Sequence, residues 1–140
     1  MSIAKIRRAF RAAYREVLPD IPTEFPNREF TPPARGVWAS LFVIPARRTV
    51  KSLGDGGDDL QTGFTQVDIK VPTHEGINAL DDYQDLLVNS FWAGRRLQFD
   101  GQVIKIRYTE TAPDRPAEGS SHVVRSITIY WESNSQRTGA

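Results

Sequence analysis

The sequence has no cysteine, one methionine and two histidines among its 140 residues. Without cysteine, disulfides and thiolate metal sites are excluded. No apolar run approaches the roughly 20 residues that a membrane-spanning helix needs. Lys5, Arg7, Arg8, Arg11 and Arg15 break up the N-terminal stretch that would be apolar in a secretion signal. The expectation is a soluble protein, made in a cytoplasm and without a membrane partner. An excess of one charge is also missing: 18 Lys and Arg against 17 Asp and Glu leave a net charge of +1. Whole-molecule attraction to nucleic acid or to an anionic surface is therefore not implied.

Motifs that carry chemistry are absent as well. There is no Gly-x-Ser-x-Gly elbow, no His-Glu-x-x-His, no phosphate-binding Gly-x-x-x-x-Gly-Lys and no dinucleotide fingerprint. His74 and His122 are far apart in the chain and read as surface residues, one at a helix start and one at a strand start. Asp55, Asp58 and Asp59 sit among glycines, but they lack the alternating ligands and the terminal Glu of a calcium loop. Gly and Asp are what a solvated turn tolerates. No catalytic residue, metal or cofactor is expected, and the chain does not read as an enzyme.

What is present is ordinary globular composition, 39% hydrophobic and 25% charged, enough for one domain with one core. Ser2 can cap a first helix whose Ile3, Ile6, Phe10, Ala13, Tyr14 and Val17 recur at helical spacing. Pro19 ends it, and residues 19–36, with five prolines, read as a long surface connection. Residues 37–44 predict a strand buried on both faces near its end, interrupted at Pro45; a short run from Thr49 to Leu53 follows. Residues 54–60 predict a mobile turn and residues 61–71 a returning strand, together a hairpin with a protruding tip.

Thr73 can cap a second helix over about 74–93, with Ile77, Leu80, Tyr83, Leu87 and Phe91 on one face and Gly94 as its stop. Two more strands follow. Ile104, Ile106 and Tyr108 alternate with charges, and Val123, Ile127, Ile129 and Trp131 share a face on which Arg125 is the exception. A Pro-, Gly- and Ser-rich link, 111–121, joins them. The expected architecture is α+β: a mostly antiparallel sheet of about four strands plus the protruding hairpin, with both helices on one face. Residues 1–133 form the single domain and 134–140 a flexible C-terminal tail.

Charge patterning supplies the candidate contact residues. Arg7, Arg8, Arg11 and Arg15 fall on one flank of the first helix, and Asp81, Asp82 and Asp85 on the corresponding flank of the second. These flanks are solvated faces, or they pair within one subunit or between subunits, or the arginines face DNA, since phosphate contacts need only positive charge. A small nucleic-acid-binding module using the arginine-rich helix is thus the alternative reading. Trp38, Trp92 and Trp131 read as packing residues, with Trp92, off the centre of its helix stripe, a candidate interface anchor.

Several segments in order resemble a known family. They are Met-Ser-Ile-Ala-Lys-Ile-Arg at the start, Phe30-Thr31-Pro32-Pro33, a strand ending Ile44-Pro45-Ala46, Leu53-Gly54-Asp55-Gly56, and Gly63-Phe64-Thr65-Gln66-Val67-Asp68-Ile69. The chain is similar, over about residues 1–131, to the small tail-terminator-like proteins of long-tailed phages and prophages. That resemblance implies a non-enzymatic virion tail protein, assembled in the host cytoplasm as a ring, commonly a hexamer. Such a ring stops tail-tube polymerisation and meets the head–tail connector, so the tube protein and the connector protein are the implied partners; the arginine helix could also line a channel through which DNA passes. The arm, with Arg47, Arg48 and Lys51 at its base and Asp55, Asp58 and Asp59 near its tip, would order against a neighbouring subunit or the tube. The family carries no catalytic residues to transfer, and the acidic second helix and the polar tail depart from it.

Overall fold

The computed structural model describes residues 3–26, 28–54, 56–75, 77–117 and 121–136. The expected helix cap, Ser2, and the turn residue Asp55 lie outside them, as do 118–120 of the link and 137–140 of the tail. Helix α1 (Ile3–Val17) buries Ile6, Ala9, Phe10, Ala13 and Tyr14, a stripe set by 3.6-residue periodicity. The Leu18 amide donates to the Tyr14 carbonyl at 2.9 Å, closing the last turn just before Pro19. The proline-rich connection is pinned to the body. Its short strand β1 (Thr23–Glu24) pairs in parallel with Ala39 and Ser40, and Phe25 is buried edge-on against the Tyr14 ring.

Three long strands carry the sheet: β2 (Trp38–Val50), β3 (Asp58–Pro72) and, after β4 (Arg96–Phe99), β5 (Gln102–Thr111) and β6 (Arg115–Pro116), the C-terminal β7 (His122–Gln136). Their order is β1-β2-β3-β7-β5-β4, with β6 beside β7, and every pairing except β1–β2 is antiparallel. The sheet curls as a half-barrel. Helix α1 touches β2, β4 and β5, strands from both sides of that curl, so it lies in the concave face. Helix α2 (Ile77–Ser90) packs on β3 and α1. Ile6, Phe10, Leu80, Leu87, Ile106 and Ile129 are all buried in one core, as the periodicity predicts. Phe10 connects the layers, stacking on Phe91 at 6.2 Å and tilting against Trp131 at 6.0 Å.

The architecture is mixed α+β, but the count of about four strands is corrected to seven among the described residues, and the strands are longer than the pattern suggested. Pro45 does not interrupt β2; a bulge between Pro45 and Arg47 absorbs it. Proline is tolerated there because β1 pairs only with Ala39 and Ser40, leaving this part of β2 on the sheet edge. The Arg47 carbonyl exposed by the bulge accepts from Gln61 Nε2 at 3.0 Å. Asp58, Asp59 and Leu60 are strand rather than turn, and the polar residues Asn134–Gln136 pair with them. The expected two-stranded tip is therefore a three-stranded arm, and the expected tail begins as strand. Burial of β2 on both faces also fails, since Ile44 is 39% exposed. Thr73–Glu75 is a 3₁₀ turn, so α2 starts later than expected and ends at Ser90; Gly94 serves the turn into β4 instead, its amide donating to the Ile106 carbonyl at 2.7 Å. Ile77, expected in the core, is 56% exposed.

Gly63 is required by close approach. A Cβ there would lie 2.5 Å from the Ile44 carbonyl oxygen and 2.6 Å from the Trp131 ring. Asp100 and Gly101, both at positive φ, form the two-residue turn joining Phe99 to Gln102.

Two stability measurements follow from this packing. Leu87→Ala, at a fully buried position, lowers unfolding free energy by about 2–5 kcal/mol in urea titration. Gly63→Ala lowers it by roughly 1–3 kcal/mol through forced displacement of backbone and Trp131, with a matching drop in melting temperature.

Candidate functional site

Among the described residues no group of three or more His, Asp or Glu is placed to hold a metal ion. A cavity of about 550 Å³ opens on the sheet face away from the helices beside Trp38, Asp68, Lys70, Arg115 and His122. Its charged side chains have close partners. Asp68 accepts from Ser126 Oγ at 2.6 Å and Gln66 Nε2 at 2.9 Å, with Arg115 Nη2 at 3.9 Å. Lys70 lies 3.6 Å from the Trp38 ring centroid, and burial pulls its pKa down against the opposing pull of Asp68 and Glu24. His122 is not the surface residue expected: it is buried, with Nε2 2.9 Å from the Gly36 carbonyl and Nδ1 2.9 Å from Ser121 Oγ. This geometry fits the tautomer in which Nε2–H donates.

The charged flanks are more distinctive. Arg11 and Arg15 place their guanidinium groups 5.2 and 5.0 Å from the Phe25 ring centroid, and Arg8 lies 5.9 Å from that of Phe99. Arg7 Nη1 donates to the Val43 carbonyl at 2.7 Å on the β2 edge. Between α1 and that edge is a cleft of about 300 Å³, lined by Arg7, Arg11, Phe25, Pro26, Leu41 and Val43. Arg11 Nε is buried there without a hydrogen-bond partner among the described residues. Burial lowers the Arg11 pKa, and the charges of Arg28, Arg15 and Arg8 push the same way. Two arginines, Arg7 and Arg11, thus line a cleft whose other walls are apolar, and Arg15 lies nearby against the same Phe25 ring.

On α2 the three aspartates part company. Asp81 is bound within the subunit: Arg125 Nη1 donates to it at 2.6 Å and to Gln84 Oε1 at 2.8 Å. The same guanidinium grips Asp114 with two bonds, at 2.6 and 2.9 Å. Arg125 is the polar exception on the apolar face of β7, and this cluster explains it: one buried cation ties α2, the 112–114 segment and β7 together. The Arg125 hydrogen bond holds the Asp114 carboxyl below its usual range, outweighing the burial that acts the other way. Asp82 and Asp85 remain exposed, beside Leu86 at 49% exposure. Among the described residues no ion pair joins α1 to α2. Pairing of the two flanks inside one subunit is therefore not what the structure has.

The remaining candidates lie apart. Trp92 is 56% exposed after the end of α2, with the Arg95 guanidinium 5.1 Å from its ring centroid. Arg47, Arg48 and Lys51 are exposed on the arm with Asp58, whereas Asp59 is buried.

A model of the phage tail terminator protein family matches residues 5–131. The chain belongs to that family. Tail terminators are structural, so it is a structural tail protein of a phage virion, working with other tail or head components. A solved structure superposes with a TM-score of 0.70 at 22% identity, over 91% of this chain and 94% of that one, which shows a shared fold. No curated protein sequence matches. Sequence reasoning missed Phe25 and Asp114, both carried by segments whose prolines concealed any periodicity, although Arg125 had marked itself as out of place.

A depressed Asp114 pKa contributes stability that is present above about pH 3.9 and lost as pH falls through the folded value. Asp114→Asn costs about 1.5–3 kcal/mol at pH 7, and its unfolding free energy falls less steeply than that of the unaltered protein below about pH 4. Chemical denaturation across pH 2–7 measures both.

Proposed function

We propose that this tail terminator assembles head-to-tail into a closed ring, six-membered by the resemblance. The ring sits on the end of the tail tube, stops its growth and offers its other face to the head connector. The observation that carries this reading is the presence of two unlike charged surfaces on one subunit: the arginine cleft of α1 and the exposed Asp82 and Asp85 of α2. A head-to-tail ring needs two different, complementary surfaces on every copy. The arm is the proposed contact with a neighbour or with the tube, since Val50 and Leu53 are 56% and 89% exposed beside Arg47, Arg48 and Lys51. The clustered arginines favour one alternative, a nucleic-acid-binding module, in which α1 faces phosphates.

Light scattering and electron microscopy of the protein, alone and with purified tail tubes, test the reading. The expected result is a ring of several 15.8 kDa subunits, formed alone or on tube ends. A protein that stays monomeric in both settings and is retained by DNA in a salt-sensitive way supports the alternative. Removing the tip residues 53–56 leaves the melting temperature nearly unchanged and yields tails of irregular length; normal tails after that deletion remove the arm from the mechanism.

A further inference from the structure

We propose that the cleft between α1 and the β2 edge is a carboxylate-binding site, filled in trans by Asp82 and Asp85 from α2 of a second copy of this chain. This rests on the ring reading and names the contact that closes it. The cleft holds positive charge in place before any partner arrives. Arg11 and Arg15 stand one helical turn apart, each against the Phe25 ring, and Arg7 is tethered to Val43. Arg11 Nε is buried and without an acceptor among the described residues. At that one nitrogen the desolvation that makes a buried ion pair costly has already occurred in the folded subunit, while Arg15 is exposed.

The proposed occupant matches in charge, spacing and apolarity. Asp82 and Asp85 are also separated by about one turn, are exposed, and have none of the arginine flank's side chains as an ion-pair partner in their own subunit. Leu86, half-exposed beside them, meets the apolar walls that Phe25, Leu41 and Val43 give the cleft. Asp81 is already engaged, because Arg125 Nη1 holds its carboxylate at 2.6 Å within the subunit. The three-residue acidic flank thus divides into one internal anchor and two outward contacts. Charge complementarity of this kind directs encounter and register as well as adding affinity.

Two charge-reversed full-length chains test the proposal. One carries Arg11→Glu with Arg15→Glu, the other Asp82→Lys with Asp85→Lys. Each alone places like charges at every junction and is expected to lose association under conditions where the unaltered protein forms rings. Mixed in equal amounts they are expected to regain rings of alternating subunits, because each chain then meets its complement. Recovery in the mixture requires contact between copies and cannot arise from pairing within a chain. Melting curves establish folding; if the double Arg variant unfolds, Arg15→Glu alone, at an exposed position, replaces it. Rings formed by either reversed chain alone, or a mixture that stays dissociated, overturn the proposal while leaving the ring reading intact. An arginine variant that assembles normally but loses salt-sensitive retention of duplex DNA also overturns it, making the cleft a phosphate site. Unaltered protein that forms no ring, alone or on tubes, removes the ring reading and this contact together.

Discussion

β3 and β7, each 15 residues long, pair along their whole length from Asp58 opposite Gln136 to Pro72 opposite His122. The other long strands attach to this ladder, β2 on one side and β5 on the other, and the short strands hang from them. Strands of this length twist strongly, and a sheet that curls creates a concave face needing a filler. The fill comes from α1, with Phe10 packed between Phe91 and Trp131. Gly63 lets this happen at the middle of the ladder, where the Trp131 ring and the β2 backbone converge on a position with no room for a Cβ. The ladder also carries the arm, because the same two strands continue past the core and take β2 with them.

Once α1 lies in the curl, its polar flank has only one place to go. The stripe of Ile6, Ala9, Phe10, Ala13 and Tyr14 is committed to the core, so the arginines face away from it, Arg7 toward the β2 edge and Arg8 over Phe99. Phe25, brought back by the proline-rich connection, gives two of them an aromatic surface and holds their guanidinium groups in position. A different constraint fixes α2. Its apolar commitment is smaller, with only Leu80 and Leu87 fully buried among its described residues. The Arg125 cluster supplements it by tying Asp81 and Gln84 to β7 and Asp114. The charges are thus sorted by geometry: Arg125 ties Asp81 to Asp114 within the fold, while Arg15, Asp82 and Asp85 stay exposed.

Helices and core were legible in the sequence because their signals are periodic. Ile6, Phe10, Leu80, Leu87, Ile106 and Ile129 appear at helical or strand spacing and all reach one core. The strands were legible as apolar runs but not in length. Polar residues such as Gln61, Asp59 and Ser133 are buried by their neighbours rather than by their own hydrophobicity, and no local pattern marks them. Pro45 read as a break because its edge position and the bulge are tertiary facts. Of the contact residues, the two charged flanks could be read from helix geometry. The division of the aspartates between an internal anchor and two exposed positions could not, because Arg125 lies 44 residues from Asp81 in sequence.

The account turns on the arginine flank of α1 meeting the acidic flank of α2 across a subunit boundary. Cryo-electron microscopy of tail tubes capped by this protein, at a resolution that shows side chains, tests this most directly. The account predicts Asp82 and Asp85 of one copy within hydrogen-bonding distance of Arg11 and Arg15 of the next at every junction. A closed ring in which the α1 cleft faces solvent or the lumen, with α2 elsewhere, would contradict it.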